Sequence, residues 1–482
     1  MHEPRRYSVI RDPVHGDLYL SSEEMALLDT PQMQRLRGVR QLGTAYLVYP
    51  GAQHTRFEHS LGTAHVASRL IAAINQNRKL RPEGLLGIAE DEERIVRAAA
   101  LVHDVTHIPS GHCIEDSRSL LERHDSAPRY FRVLDGGTEL GAALDRMGIR
   151  REVLAVLLAD TEAAAAGLPA VPACWRELLS DTICADLLDY LKRDALFTGL
   201  NLNYDERVLS YFMVDRASGH LYVDIEKRGL LREDILSELL RVLEARYFFS
   251  ERVYYHHAKV AAGAMVSQIV ETALLHGGLQ AEQLYALEDA ELLPLCERHV
   301  AAPTAPAQAA ARGELFGTLP GDVAGELARA RELIARLRSR RLLKRACVWP
   351  LYANRGVQQA LLDRFFAPGR AGERQAFERE VRARLRKAGH EPVIVQLYCP
   401  SKRMQLKEAQ THVRFPGAGA IAPLAQFSDR VARLADLERS YRDLWKLYLF
   451  AATEEPATLA AIAAIAGELL PGAVNVYQPA AR

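Results

Sequence analysis

The sequence has no excess charge of either sign, since 61 Lys and Arg residues balance 61 Asp and Glu residues over 482 positions. A zero net charge removes any global electrostatic argument for a nucleic-acid-binding protein, although a local basic patch is compatible with it. The chain also lacks a Cys-x-x-Cys pair among its six scattered cysteines. This excludes a disulfide framework or a zinc ribbon as the organising feature, and it favours a reducing, cytoplasmic location.

Long apolar runs are absent as well. No stretch of 18 apolar residues is present, and the opening text MHEPRRYSVIRDP is too polar for a signal peptide. With 49% hydrophobic and 25% charged residues, the composition is that of a globular protein, and the length allows two or three domains. We therefore expect no membrane partner.

Helical periodicity dominates the text from Glu58 onward. Segments such as HSLGTAHVASRLIAAI and DEERIVRAAALVHD carry apolar residues at three- and four-residue spacing. Strands are predicted at YFMVDRASGHLYVDI, EPVIVQLYCP and THVRFP. PGDVAGELARARELIARLRSRRLLKRA is predicted to be a basic helix, and the last 60 residues are predicted to be mainly helical, with an apolar face that packs on the core or on another subunit.

These patterns predict a mainly α fold with a helical core and a smaller α+β C-terminal part. The core is expected over residues 1–300, followed by a linker at 301–312, which reads AAPTAPAQAAAR. Residues 313–482 would form the α+β region, with a regulatory or oligomerisation role.

The stretch LVHDVTHIPSGH has the highest density of residues that can bind a metal or transfer a proton. His103 and Asp104 are adjacent at the end of an apolar helix, where neighbouring side chains can approach one metal ion from two sides. Imidazole together with carboxylate suits iron, manganese or zinc better than calcium. His59, one helix earlier, offers a third ligand, and Asp186 offers a fourth.

Three residues around Asp186 form a row. Asp186, Tyr190 and Asp194 recur every four residues and therefore share one helix face. A solvated face and a pocket wall are both compatible with this row, and the leucines beside it favour a buried helix. His54 and His65, in contrast, are interpreted as hydrogen-bonded structural histidines.

The order His59, His103-Asp104, Asp186 resembles that of the HD phosphohydrolase superfamily. The stretches QRLRGVRQLGTAYLVYPGAQHTRFEHSLGTAHVA, LVHDVTHIPSGHCIE and DLLDYLKRD are similar to its deoxynucleoside triphosphate triphosphohydrolase branch. The similarity runs from about Arg11 to Lys259 and weakly beyond. It implies an HD-type helical core, and attack of water at the α-phosphorus of a nucleotide substrate to release deoxynucleoside and triphosphate.

The resemblance also implies roles for individual residues. The metal ligands of the family correspond to His59, His103, Asp104 and Asp186. Its catalytic and supporting positions correspond to His107, His112, Glu115 and His124. Its substrate-binding positions correspond to Gln41, Leu42, Arg56, Tyr190, Asp194, Arg246 and Tyr254. The implied cofactor is a divalent ion of iron, manganese, nickel or zinc, with Mg²⁺ on the substrate phosphates.

A regulatory site is implied less directly. Asp29, Gln34 and Arg37 in DTPQMQRLR, with Arg340 and Lys344 in RRLLKR, match residues that bind an activating nucleotide between subunits in the family. A functional site would make the protein a homo-oligomer, either a dimer or a tetramer. The alternative is an amphipathic helix with ordinary surface charge.

Two positions depart from the family pattern. Leu187 stands where a phosphate-binding lysine is found, and Ser250 stands where a pocket histidine is found. Triphosphate specificity is therefore open, and a monophosphate, a modified nucleotide or another phosphoester is an alternative substrate. A second alternative is a nucleotide-sensing or nucleic-acid-binding module that uses RLRSRRLLKR as a basic patch. The complete set of ligands argues against a pure binding module.

Overall fold

The computed structural model describes residues 7–118, 121–180, 182–301, 323–402 and 404–479. For residues 116–118 it describes the backbone and not the side chains. The linker predicted at 301–312 lies outside the described residues, apart from Ala301. Most of the described chain is helical, and the prediction of a mainly α fold is confirmed.

The helices before the predicted linker include the long central elements of the core. They are α1 (Ser22–Leu28), α2 (Pro31–Gln34), α3 (Arg56–Leu80), α4 (Glu90–Val102), α5 (Gly111–Arg118), α6 (Ala127–Val133), α7 (Glu139–Arg146), α8 (Arg150–Leu157), α9 (Asp160–Ala165), α10 (Ala173–Glu177), α11 (Ala185–Thr198), α12 (Glu233–Phe249), α13 (His257–His276), α14 (Ala281–Tyr285) and α15 (Asp289–Ala301). A π-helical turn, Ser250–Tyr254, follows α12.

The described helices after it alternate with strands. They are α16 (Val323–Arg338), α17 (Leu351–Asn354), α18 (Gln358–Phe365), α19 (Ala371–Lys387), α20 (Ala432–Asp443) and α21 (Pro456–Leu469).

The strands form small sheets around the helical core. They are β1 (Tyr7–Asp12), β2 (Gly16–Ser21), β3 (Leu85–Leu86), β4 (Phe212–Asp215), β5 (Leu221–Asp224), β6 (Glu226–Lys227), β7 (Leu230–Leu231), β8 (Lys344–Pro350), β9 (Val395–Tyr398), β10 (His412–Arg414), β11 (Ala422–Pro423) and β12 (Lys446–Ala451). The strand order is β11-β10-β5-β4-β3 in the five-stranded sheet and β8-β12-β9 in the three-stranded sheet, and β1-β2 and β6-β7 are hairpins.

Helix α3 places the first site residues because its start is capped. The Thr55 side chain accepts a hydrogen bond from the backbone N–H of Glu58, and the Glu58 carboxylate accepts one from the backbone N–H of Thr55. This capping box sets the first turn, which carries Arg56 and His59. Helix α4 begins with four acidic residues near its positive dipole end and finishes in the buried run AAALV, immediately before His103.

The C-terminal region shares a β-sheet with the region that precedes the predicted linker. Strand β10 pairs in parallel with β5, in a register that sets His412 against Tyr222. The five-stranded sheet therefore contains strands from both of the predicted regions, 1–300 and 313–482. The boundary between these regions stays a prediction.

Two secondary-structure predictions are wrong in part. The basic helix ends at Arg338, and Lys344 already begins β8. Arg340 adopts a left-handed conformation at φ 53°, and the Arg341 N–H donates to the Arg336 carbonyl at 2.8 Å, as in a Schellman termination. The last 60 residues contain β12, which pairs with β8 and β9 on its two sides. A strand buried in this way reads as a continuous apolar run that sequence periodicity does not distinguish from a helix.

One described helix, α13, is long and apolar enough to cross a membrane by length and composition alone. In the structure, 83% of its most apolar window is buried inside the protein. It therefore packs as a core helix of the described structure.

Candidate active site

Four predicted ligand side chains converge where α3, α4 and α11 meet. The His59 Nε2 atom lies 2.8 Å from Asp186 Oδ1 and 3.9 Å from Asp104 Oδ2. The His103 Nε2 atom lies 3.6 Å from Asp104 Oδ1 and 3.7 Å from Asp186 Oδ1. Two imidazole nitrogens and two carboxylates thus lie close together at the junction of these segments, and this donor set suits a divalent transition metal.

The two imidazoles are oriented by bonds on their other nitrogen. The His103 Nδ1 atom donates to the Ala100 carbonyl at 2.7 Å, and the His59 Nδ1 atom contacts Asp189 Oδ2 at 2.7 Å. Both Nε2 atoms are thereby directed toward the carboxylates of Asp104 and Asp186, where a bound ion would take the place of a proton. The His103 Nε2 atom is buried and has no hydrogen-bond partner within the described residues. The residues present therefore fit a bound metal ion.

A buried ion network holds the His59 side chain in place. The Arg193 guanidinium donates to both oxygens of Asp189, at 2.8 and 2.9 Å, and to Asp12 at 2.9 and 3.3 Å. The His15 Nε2 atom adds a contact to Asp189 Oδ1 at 2.7 Å. Sequence reasoning missed this network, because its members come from the β1–β2 hairpin and α11, which are distant in the chain.

The electrostatics of the cluster favour a cation. Burial alone would lower the pKa of His59, but hydrogen bonds to Asp186 and Asp189 outweigh it and raise this pKa to about 10. Burial would raise the pKa of Asp104, but Arg56 and the neighbouring histidines hold it well below its usual range. The carboxylates are therefore ionised at neutral pH, and their field favours positive charge at this junction.

The small residue Gly62 makes room for the ion network on α3. A Cβ atom at position 62 would overlap Asp189 Oδ1 and Arg193 Nη2. We expect Gly62→Ala to lower the free energy of unfolding by about 1–3 kcal/mol, because buried paired charges do not move aside easily. Urea denaturation followed by circular dichroism measures this change.

Gly467→Ala on α21 is the matched control. A Cβ atom there meets nothing within 4 Å. The substitution is therefore expected to raise stability by about 0.5–1 kcal/mol through the better helix propensity of alanine. Equal losses at both glycines would contradict the packing explanation.

A second group of histidines lies beside the metal-ligand group. His107, His112 and His124 bring their ring nitrogens within 4.8 Å of one another. The rings of His107 and His124 stack with centroids 3.6 Å apart, and His107 Nε2 lies 3.1 Å from Asp104 Oδ1. The two predicted groups are thus joined through one carboxylate.

Glu115 orients His124. Its Oε2 atom accepts from the His124 backbone N–H at 3.1 Å and lies 2.8 Å from the ring Nδ1, while Arg129 Nη1 lies 3.5 Å from its other oxygen. Burial lowers the pKa of His124 below its ordinary value, even though Glu115 acts in the opposite direction. His124 is therefore a neutral imidazole at neutral pH, with its Nδ1 atom directed at Glu115.

A cavity of about 450 Å³ is lined by the carboxylates Asp104 and Asp186 of the metal-ligand group and by His107, His112 and His124. All seven predicted substrate-binding residues line it, namely Gln41, Leu42, Arg56, Tyr190, Asp194, Arg246 and Tyr254. Six cationic side chains also line it, namely Arg40, Arg56, Arg123, Arg246, Lys259 and Lys407. The structure therefore brings the predicted residues together in one compartment with excess basic character.

One wall of the cavity has polar groups suited to a sugar. Asp194 accepts from the Tyr254 hydroxyl at 2.5 Å and is held by His54 Nε2 at 2.9 Å. His54 is thus structural, as predicted, and it positions a cavity residue. The Gln41 Oε1 atom is buried and has no hydrogen-bond partner in the described part of the chain. Gln41 and Leu42 both line the cavity, so this acceptor is available at its wall.

Part of the cavity lining comes from the C-terminal region, which sequence reasoning did not connect to the site. Tyr398, Ser401, Lys407 and Glu408 line the cavity. The Arg246 Nε atom donates to Glu408 Oε1 at 3.2 Å, and the Arg246 guanidinium lies over the rings of Tyr190 and Tyr254. The similarity to the family that continues weakly beyond Lys259 was the signal that could have indicated this contribution.

The two residues that depart from the family pattern, Leu187 and Ser250, differ in their position relative to the cavity. Leu187 lines the cavity. Ser250 is not among the described residues that line it, and its hydroxyl instead donates to the Arg246 carbonyl at 2.9 Å and lies 3.3 Å from the Tyr441 hydroxyl on α20. The last 60 residues therefore pack on the core at this point.

The residues of the predicted activator site form two groups with separate partners. Gln34 Nε2 donates to the Leu28 carbonyl at 2.8 Å, next to Asp29, and Arg37 Nε donates to Gln34 Oε1 at 2.9 Å. Arg340 Nε donates to the Leu47 carbonyl at 2.8 Å, whereas Lys344 pairs with Glu454. The activator site stays a prediction.

Known proteins resemble the chain in both sequence and structure. The family model described as the HD domain matches residues 56–168, and the model of the HD associated region matches residues 227–318. The human deoxynucleoside triphosphate triphosphohydrolase SAMHD1 is 29% identical over 297 residues, which cover 57% of this chain and 44% of that protein. An uncharacterized protein of Methanocaldococcus jannaschii is 28% identical over 289 residues, which cover 59% of this chain and 54% of that protein.

Solved structures share the fold over almost the whole chain. A hypothetical protein from Aquifex aeolicus superposes with a TM-score of 0.59 at 21% identity, covering 96% of this chain and 100% of that one. A phosphohydrolase from Bacteroides thetaiotaomicron superposes with a TM-score of 0.59 at 19% identity, covering 92% and 100%. The chain spans about half the length of the curated relatives it matches.

Proposed function

We propose that the chain, which family models of the HD domain and of the HD associated region match in part, is a metal-dependent phosphohydrolase that cleaves deoxynucleoside triphosphates into deoxynucleoside and triphosphate. The observation that carries this proposal is the single cavity that joins the His/Asp cluster to six basic side chains. Basic side chains suit a polyanionic substrate, and the cluster suits the ion that such chemistry needs.

The metal would be held by His59, His103, Asp104 and Asp186. A divalent ion supplies positive charge that neutralises phosphate oxygens and acidifies water. Iron, manganese, nickel and zinc all suit this donor set, and Mg²⁺ would accompany the substrate phosphates.

The residues of this chain would provide the proton transfers. In the proposed step, the water oxygen bonds to the α-phosphorus, the bond to the sugar 5′ oxygen breaks, and that oxygen takes up a proton. His124, neutral and oriented by Glu115, accepts a proton at its Nε2 atom. His112 lines the cavity within reach of His124 and donates to the leaving oxygen.

Substrate binding would use several residues that line the cavity. Arg246 is suited to the phosphates because its guanidinium can form paired hydrogen bonds. Gln41 and Asp194 would bind the sugar 3′-hydroxyl, and Leu42 would crowd the 2′ position. Arg56 donates to Asp104 at 2.7 Å, so its proposed role includes holding a metal ligand as well as contacting phosphate.

A turnover assay tests the proposal. The purified protein is given each dNTP, singly and mixed, with Mg²⁺, Mn²⁺ or Fe²⁺, and the products are separated by chromatography. Deoxynucleoside with intact triphosphate supports the proposal, and release of inorganic phosphate or pyrophosphate contradicts it. Turnover only in the dNTP mixture would support the activating nucleotide, and light scattering under the same conditions measures whether a homo-oligomer forms.

A different phosphoester is the second candidate substrate, and Leu187 favours it. An apolar side chain replaces a cation beside the proposed metal site, which weakens binding of the most highly charged substrates. Deoxynucleoside monophosphates and modified nucleotides therefore belong in the same assay. Turnover of these compounds without turnover of dNTPs would select this alternative.

Glu408→Gln is expected to lower the KM for a dNTP by about fivefold, or about 1 kcal/mol. The physical reason is that Glu408 forms an ion pair with the Arg246 guanidinium, which is proposed to bind phosphate. Its carboxylate also adds negative charge to the part of the cavity where the phosphates would bind. Initial rates over a range of substrate concentrations measure the change. Glu244→Gln on the same helix as Arg246, where Glu244 pairs with the exposed Arg433, is the control. A raised KM in Glu408→Gln would contradict this prediction.

A further inference from the structure

Three side chains outside the cavity meet beside the five-stranded sheet. Glu177 ends α10, His220 directly precedes β5, and His412 begins β10. The His220 Nδ1 atom lies 2.6 Å from Glu177 Oε1, and the His412 Nδ1 atom lies 3.7 Å from the same oxygen. The two rings stack with centroids 4.5 Å apart. One carboxylate oxygen thus faces two imidazole nitrogens.

The donor atoms are already gathered and oriented. They lie within 4.8 Å of one another. The Leu221 backbone N–H donates to Glu177 Oε2 at 2.7 Å, which fixes the carboxylate with Oε1 toward the histidines. The His412 Nδ1 atom is buried and has no hydrogen-bond partner among the residues that the structure describes. An ion pair between Glu177 and His220 alone would leave this buried nitrogen without a partner.

We propose that Glu177, His220 and His412 form a second transition-metal site, which takes Zn²⁺. Two imidazole nitrogens and one carboxylate oxygen are a donor set for zinc and not for calcium or magnesium, which prefer oxygen ligands. The His220 side chain is 39% exposed, so a water molecule can complete a tetrahedral coordination. These residues lie apart from the His59 cluster, and the proposal does not depend on the proposed function.

The position of the site indicates what the ion would do. His412 belongs to the C-terminal region, whereas Glu177 and His220 belong to the helical core. The neighbouring Thr411 side chain already accepts a hydrogen bond from the Ile183 backbone N–H at 2.7 Å. An ion on His412 would strengthen this junction and fasten the short segment that carries Glu408 into the cavity wall.

Metal stoichiometry tests the proposal. The full-length protein is stripped with a chelator, reloaded with Zn²⁺, dialysed and analysed by mass spectrometry for zinc per chain. We expect two equivalents in the wild type, one in His220→Asn or His412→Asn, and one in Asp104→Asn, which removes a ligand of the other site. His390→Asn is the control, because His390 bonds to Thr458 elsewhere, and it keeps two equivalents.

A second measurement keeps the test decisive if His412→Asn fails to fold. His220 is the more exposed ligand, and its substitution carries little folding cost. In the Asp104→Asn background, Zn²⁺ at ten times its dissociation constant should slow hydrogen exchange of the β10 amides by about tenfold. Adding His220→Asn should abolish this protection. Unchanged zinc content in both histidine variants, or β10 protection that survives His220→Asn, overturns the proposal.

Discussion

Asp104→Asn is expected to reduce turnover of the proposed nucleotide substrate by at least about 1000-fold, corresponding to about 4 kcal/mol in the activation free energy. The Asp104 carboxylate contacts Arg56 at 2.7 Å and His107 at 3.1 Å, and it faces His59 and His103 across the proposed metal position. An amide keeps the shape of the side chain and removes the charge that would hold the ion. Steady-state assays and metal analysis of the same preparation measure both effects.

Asp91→Asn is the control for this result. Asp91 is exposed in the first turn of the same helix, α4, and its substitution is expected to leave turnover and metal content unchanged. The far-ultraviolet circular dichroism of Asp104→Asn should match that of the wild type. A metal-replete Asp104→Asn protein with full activity would refute the assignment of Asp104 as a metal ligand.

Arg193→Ala is expected to lower the free energy of unfolding by about 3–5 kcal/mol, since it leaves two buried carboxylates without their cation. Arg193 and Asp189 are fully buried, and Asp12 is nearly so. Arg193 keeps the pKa of Asp189 well below its usual range, against the effect of burial. Without it, Asp189 would bind a proton more readily and hold His59 less well, so metal content should fall together with stability.

Arg69→Ala provides the matched comparison. Arg69 pairs with Glu206 at the surface, where both side chains are about half exposed, and its loss is expected to cost at most about 1 kcal/mol. Arg193→Lys, which keeps the charge but cannot reproduce the fork of hydrogen bonds, should fall between the two. Urea denaturation ranks the three variants. Equal losses for Arg193→Ala and Arg69→Ala would show that the buried network contributes no special stability.

Local spacing was sufficient to predict part of the site. His103 and Asp104 are neighbours in the chain, and Asp186, Tyr190 and Asp194 repeat at helical spacing. Their proximity follows from backbone geometry alone. Of the two interpretations left open for this row, the pocket wall agrees with the structure, in which Asp186, Tyr190 and Asp194 line the cavity. The mainly α class was predictable for the same reason, because amphipathic periodicity is a local property.

The β12 strand shows where local reasoning failed. It lies between β8 and β9, so both of its faces and both of its edges are covered. Its text WKLYLFA shows neither helical nor alternating periodicity, because every position is apolar or packed. Only the presence of the partner strands, which are distant in the chain, makes it a strand.

The helical class, the HD motif and the residue types that can hold a metal could be predicted from the sequence, because they depend on composition and on spacing along one helix. Which oxygens and nitrogens face one another depends on the packing of distant segments. Asp189 meets Arg193 and Asp12 because α11 packs against the β1–β2 hairpin. Glu408 reaches Arg246 because the C-terminal region folds back over α12. Such pairings depend on how distant segments pack around a shared core, and no periodicity along the chain encodes them.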